Sequence, residues 1–253
     1  MTPLVDIGAN LAHKSFREDL AAVLARARAA SVGRVVVTGT STGASRRAWE
    51  LARAHRGVLF STAGVHPHEA SRWGRDAELA VRELLREPEV VAVGECGLDY
   101  DRDFSPRPAQ RQAFAAQLAI AADTGKPVFL HERAAHDDFL SIVREHRVRG
   151  VVHCFTGEAR ELDAYLRHGL FIGMTGFVAD ERRGTHLPPL LPRVPRDRLM
   201  IETDAPFLTP RTRRGRNEPA FLRDVLAAVA RAVSRSEDSR CLADRQRPLR
   251  TMR

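Results

Sequence analysis

The chain has 253 residues, 43% of them hydrophobic and 28% charged, with a formal net charge of +8. This length permits a single closed α/β barrel of about 250 residues, and three cysteines without a short-spaced pair exclude a disulfide framework. No apolar run approaches the ~20 residues of a membrane span. The basic excess is almost all arginine scattered along predicted helices, so it tilts expectation only modestly toward a polyanionic substrate.

The chain opens directly on an apolar strand at 4–6 and a polar turn. It lacks the basic region and the apolar stretch of about 7–15 residues that mark a signal peptide, so we expect a cytoplasmic protein. A helix at 16–30 leads to a strand at 35–39, a helix at 43–54 to a strand at 59–64, and a helix at 75–86 to a strand at 90–95. The alternation continues with a helix at 107–123, a strand at 128–131, a helix at 134–146, a strand at 151–155 and a helix at 159–167. Strands at 171–175 and 199–204 follow, then a proline- and arginine-rich loop at 206–219 and a helix starting near Glu218.

Several of these strands are continuous apolar runs, as parallel strands buried on both faces require. Eight strands alternating with helices admit a closed barrel or an open doubly wound sheet. An open sheet that binds a nucleotide carries a glycine-rich phosphate loop after its first strand. Asp6-Ile7-Gly8-Ala9-Asn10 is no such loop, so we expect one (β/α)₈ TIM-barrel domain over 1–253. Residues about 235–253 form an atypical tail with almost no apolar periodicity, from divergence or a frameshift.

Polar residues recur at the C-terminal edges of these strands. The first ends in Asp6, the third leads to His66 and His68, the fourth ends in Glu95, the fifth in His131, the sixth holds His153 and the eighth ends in Glu202-Thr203-Asp204. In a barrel these edges share one face, where active sites lie. A single strand-end histidine is ordinarily a hydrogen-bonded structural residue, but so many at one rim point to a metal centre. Imidazole and carboxylate donors together suit Zn, Mn, Fe or Mg. Cys96 and Cys154 adjoin these residues and, by strand alternation, are expected to face away from them.

At these positions the sequence resembles the TatD family of metal-dependent deoxyribonucleases, within the amidohydrolase-like barrels. The resemblance rests on Asp6-Ile7-Gly8-Ala9-Asn10-Leu11, Gly64-Val65-His66-Pro67-His68, Val93-Gly94-Glu95-Cys96-Gly97-Leu98-Asp99 and Pro127-Val128-Phe129-Leu130-His131. It continues through His153-Cys154-Phe155-Thr156-Gly157, Glu202-Thr203-Asp204-Ala205-Pro206 and Arg216-Asn217-Glu218-Pro219, and covers roughly residues 3 to 233. It implies Glu95, His131, His153 and Asp204 as metal ligands, Asp204 also as the catalytic base beside Glu95, and Asp6 and Asn10 as further candidates for the metal. His66 and His68 would reach the phosphate, with Arg133 and the loop arginines helping to hold the backbone.

Most members of that family carry Asp-x-His-x-His at the first strand, whereas Gly8 and Asn10 stand at both histidine positions here. Their absence favours oxygen-rich ligation, hence one or two ions of Mg²⁺ or Mn²⁺ rather than Zn²⁺. The resemblance implies a 3′–5′ exonuclease on single-stranded DNA, or RNA, acting as a monomer without membrane partners. Two alternatives carry the same barrel: a metal-dependent amide or ester hydrolase such as a D-aminoacyl-tRNA deacylase, and a non-catalytic nucleic-acid-binding relative. A carboxylated lysine after the fifth strand would mark the amidohydrolase version, but Lys126 precedes that strand.

Overall fold

The computed structural model describes residues 3–245, with side chains for 3–234. Eight strands form one parallel sheet in sequence order: β1 (Leu4–Ala9), β2 (Val32–Val37), β3 (Leu59–Ala63), β4 (Val90–Asp99), β5 (Val128–Arg133), β6 (Gly150–Val152), β7 (Phe171–Met174) and β8 (Leu199–Ile201). Helices α1 (Leu20–Ala29), α2 (Thr42–Ala54), α3 (Arg75–Leu84), α4 (Arg107–Thr124), α5 (His136–Arg144) and α6 (Ala159–Arg167) connect the first seven strands. The short α7 (Leu187–Leu190) precedes β8, and α8 (Leu222–Arg245) follows it.

The helix ends obey local chemistry. Ser41 accepts from the Ala44 amide and starts α2, Glu158 and Glu161 form a capping box for α6, and Gly125 at φ 67° terminates α4. Sequence reasoning missed α7, whose Pro188 and Pro189 fit a helical first turn. α8 buries Leu222, Val225 and Val229 at helical spacing against the barrel, and its backbone continues to Arg245. The end of the atypical tail, 246–253, lies outside the described residues.

Apolar side chains divide into an outer shell between sheet and helices and a plug inside the barrel. The plug consists of Ala92, Phe129 and Val151, with Ile7, Phe171 and Met200 packed on it. Above it the strands turn polar, which places the site at the C-terminal mouth.

The barrel is nearly closed. β1 through β8 pair successively, but β8 and β1 share no ladder among the described residues. Two main-chain bonds, Asp204 N to Gly8 O at 2.8 Å and Asn10 N to Ala205 O at 2.6 Å, cross the seam just above β8. The Asp6 carboxylate fills the remaining gap, accepting from Thr203 N at 2.9 Å and from Thr203 Oγ1 at 2.6 Å.

Candidate active site

Two strand irregularities aim the functional groups. Between Gly94 and Cys96 the β4–β5 register slips by one residue, a bulge centred on Glu95. The extra residue turns Glu95 into the mouth while Cys96 stays buried in the outer shell. Gly97, at φ 147°, then lets β4 run tightly along β5, because a Cβ there would strike the His131 carbonyl oxygen. A second slip lies between Asp6 and Ala9 of β1.

Three imidazoles converge on one oxygen. Glu95 Oε1 lies 2.9 Å from His131 Nδ1, 2.8 Å from His153 Nε2 and 3.2 Å from His66 Nε2. His131 Nδ1 is itself 3.3 Å from His66 Nε2 and 3.4 Å from His153 Nε2. One carboxylate oxygen cannot fully satisfy three imidazoles at once, and His131 Nδ1 is shared among Glu95 Oε1, His66 Nε2 and His153 Nε2. Such spacings suit donors arranged about a cation held at about 2.0–2.2 Å, and His66, Glu95 and His131 form a donor set compact enough for one ion. The residues present therefore fit a divalent metal.

Electrostatics follow from this crowding. Burial disfavours charge on His153, but Glu95 and Glu202 outweigh it and raise its pKa well above the ordinary imidazole value. Burial likewise opposes the Glu95 carboxylate, yet His153 and His66 hold its pKa well below the carboxylate range. His66 goes the other way: burial lowers it to about 4, so it is a neutral, lone-pair-bearing ring at neutral pH. Asp204 is pushed up to about 7, mainly by burial; His153 pulls down against this, while Glu95 and Glu202 push up. Asn10 Nδ2 donates to Asp204 Oδ1 at 2.9 Å.

The surrounding cavity, about 700 Å³, is lined by Glu95, His131, His153, Asp204, His66, His68, Arg133 and Asn10 among others. The structure thus brings to one mouth every candidate except Asp6. That carboxyl is fully buried, is engaged by Thr203 and by the Gly8 amide at 3.3 Å, and does not line the cavity. Its position in the seam sets it apart from the cavity that the Glu95–histidine cluster lines. His68 Nε2 binds Asp99 Oδ2 at 2.7 Å, and Arg133 Nη1 donates to Thr156 Oγ1 at 2.6 Å.

Two carboxylates escaped assignment from sequence. Asp99, at the end of β4, pairs with His68 and stands 3.4 Å from His131 Nε2. Glu202 is fully buried, accepts from the Cys154 amide at 2.6 Å and sets Oε2 3.6 Å from His153 Nδ1. Neither His153 Nδ1 nor Glu202 Oε2 has a hydrogen-bond partner among the described residues, and the two face each other at 3.6 Å. Both acids stood within the quoted motifs, and strand-end position was the available signal.

Two expectations need correction. Cys154 lines the cavity instead of facing away, because β6 ends at Val152 and a left-handed residue at Cys154 (φ 44°) breaks the alternation. The loop arginines do not line the mouth: Arg211 pairs with Asp180, Arg213 with Asp224 and Arg216 with Asp19. The cavity instead draws its cations from Arg47, Arg72, Arg102, Arg133 and Arg183. Lys126 donates to Val90 O at the base of β4, the end of the barrel opposite the ligands, as its place before β5 implied.

A family model described as TatD related DNase matches residues 5–241. The chain is 49% identical over 248 residues to the 3′-5′ ssDNA/RNA exonuclease TatD of Enterobacter lignolyticus, covering 95% of this chain and 94% of that protein. A hydrolase TatD family protein from Entamoeba histolytica superposes with a TM-score of 0.84 at 25% identity, over 92% of both chains. YjjV, a TatD homologue from Escherichia coli, also reaches 0.84, at 28% identity over 90% of both chains.

Proposed function

Since the chain belongs to the TatD-related DNase family, we propose that it is a metal-dependent exonuclease that removes nucleotides from the 3′ end of single-stranded DNA or RNA. The observation that carries this reading is the convergence of His66, His131 and His153 on Glu95 Oε1 in a cavity shared with Asp204 and with the arginines Arg47 and Arg133. We assign Glu95, His131, His153 and Asp204 to the metal, and His66 is close enough to the cluster to join them. Mg²⁺ or Mn²⁺ is the ion we propose, since Glu95, Asp204 and Asn10 add oxygen donors to the imidazoles. A divalent ion there supplies Lewis acidity, drawing charge from phosphoryl oxygens and acidifying water.

The chain's own groups supply the rest. Asp204 is the base: Asn10 holds Oδ1, which leaves Oδ2 to receive a proton from water. Glu202 backs His153, fixing which ring nitrogen faces Glu95. Arg133 is held by a neutral hydroxyl and Arg47 has no acidic partner among the described ion pairs, which leaves both charges for phosphate. No helix among the described residues is long and apolar enough to cross a membrane. We place the protein in the cytoplasm, where its free thiols stay reduced.

Parallel digestion of 3′- and 5′-labelled oligonucleotides with Mg²⁺, Mn²⁺ and Zn²⁺ tests the proposal. We expect shortening from the 3′ end, with Mg²⁺ or Mn²⁺ ahead of Zn²⁺, and loss of hydrolysis in Glu95→Ala and His153→Ala. Full activity of either variant would remove the metal assignment, and Zn²⁺ ranking first would remove the proposed ion.

A further inference from the structure

Among the described residues the strongly exposed large apolar side chains are Val5, Val58, Leu79, Phe104, Phe207 and Leu226, and of these only Phe207 lines the active-site cavity. Its ring is 50% exposed, yet its backbone is held at both ends. Phe207 N donates to Asp204 O at 3.0 Å. Phe207 O accepts from Asn217 Nδ2 at 2.6 Å, and the same amide group donates to Thr203 O at 2.8 Å. Asn217 is itself buried, so this turn is fixed to the protein interior. A large apolar ring is therefore kept in water, at a set position one turn beyond Asp204.

Among the described residues the ring's one aromatic neighbour is His13, with centroids 5.7 Å apart at 67°. His13 is steadied by Ser15, whose amide donates to Nδ1 at 3.2 Å. Phe177, the other phenylalanine lining the cavity, already carries the Arg183 guanidinium over its ring at 4.7 Å. No cation covers Phe207 among the described residues. The strand order also sets a cation across the mouth from the ring. Phe207 follows β8, whereas Arg133, which has no acidic partner among the described ion pairs, lines the cavity from the end of β5 across the barrel; Arg183, after β7 and nearer in strand order, is engaged by Asp180. A single nucleic-acid strand has a matching arrangement, with anionic phosphates along one edge and flat bases along the other.

We propose that Phe207, with His13 at its edge, is a stacking platform for the base of the terminal nucleotide, and that it makes the site selective for unpaired ends. Aromatic rings bind bases by stacking with little regard to sequence, and a base still paired to a complementary strand cannot lie flat on this ring. The inference rests on the exonuclease reading above.

The test compares wild-type protein, Phe207→Ala and Phe207→Trp in Mg²⁺ on oligonucleotides whose 3′-terminal nucleotide is either normal or abasic. Wild type should prefer the base-bearing end by about tenfold in kcat/KM. In Phe207→Ala that ratio should fall to near one, and Phe207→Trp should retain it. Equal losses on both substrates in Phe207→Ala would mean that the ring only positions Asp204, and an unchanged ratio would mean that no base touches it. Either result overturns the platform. A second readout does not require turnover: a 3′-terminal 2-aminopurine, protected by a terminal phosphorothioate, should be quenched on binding wild type but not Phe207→Ala. Quenching without cleavage of any oligonucleotide would retain the platform and discard the exonuclease reading. Quenching confined to a 5′-terminal probe would retain it and reverse the polarity. No quenching at either end would discard the platform.

Discussion

Replacing Asp6 distinguishes a seam residue from a metal ligand. The carboxyl is fully buried and accepts from Thr203 N, Thr203 Oγ1 and Gly8 N. Asp6→Ala would leave two buried amides without acceptors, at about 1–3 kcal/mol each. The expected loss is about 4 kcal/mol, or roughly 10 °C in the melting temperature of a chain this size. Asp6→Asn keeps an acceptor for Thr203 N and should cost about 1 kcal/mol. The pH dependence has a definite sign. Burial, set against the Thr203 and Gly8 hydrogen bonds, raises the Asp6 carboxyl from 3.8 to about 7. Between those values the folded state holds a proton that the unfolded state has released, so this contribution to stability is complete below the lower value and is lost as pH rises toward the upper one. Urea titrations of metal-free wild type and Asp6→Asn across that window should therefore show wild type losing stability relative to the variant as pH increases. If Asp6→Ala melts like wild type without metal but loses metal binding by calorimetry, Asp6 is a ligand and the seam argument is wrong.

Other substitutions separate positioning from support. Glu202→Gln retains an oxygen for the Cys154 amide but removes the charge 3.6 Å from His153 Nδ1; calorimetry with Mn²⁺ should show affinity lowered about tenfold or more, and unchanged affinity would rule out the positioning role. Arg213→Ala with Arg216→Ala removes partly exposed ion pairs and the Arg216–Phe16 contact, so stability should fall by about 1–2 kcal/mol while KM for single-stranded DNA holds. Arg47→Ala with Arg133→Ala should instead raise KM and flatten the log–log salt dependence by about 1.4, or about 0.7 per phosphate contact. A flattened slope in the Arg213/Arg216 pair would reassign the phosphate contacts to that loop.

The elements most legible in the sequence were those with strong local signals. The 159–167 helix was placed at its observed bounds because its apolar residues recur at helical spacing, and the structure adds a capping box at its start; the buried apolar runs of β3 and β5 stood out equally well. Strand-end position carried Glu95, His131, His153 and Asp204 to one cavity, since strand ends in a barrel share a face. Alternation failed where strands stop or bulge. It misjudged Cys154 beyond the end of β6, and it could not foresee the bulge that turns Glu95 inward. Arg211–Arg216 misled for a different reason: a run of arginines reveals charge but not the distant acids Asp19, Asp180 and Asp224 that engage it.

The seam between β8 and β1 also sets an order of events during synthesis. His66, Glu95, His131 and His153 all lie ahead of β8 in the chain, whereas Asp204 arrives with the strand end that must dock beside Gly8 and Asn10. A chain that ends before β8 lacks Glu202, the proposed base Asp204 and the Thr203 that engages Asp6 at the seam. Joining the two ends of the barrel and bringing in the proposed base are therefore one step, so a chain stalled before that strand lacks the acid we assign to proton transfer.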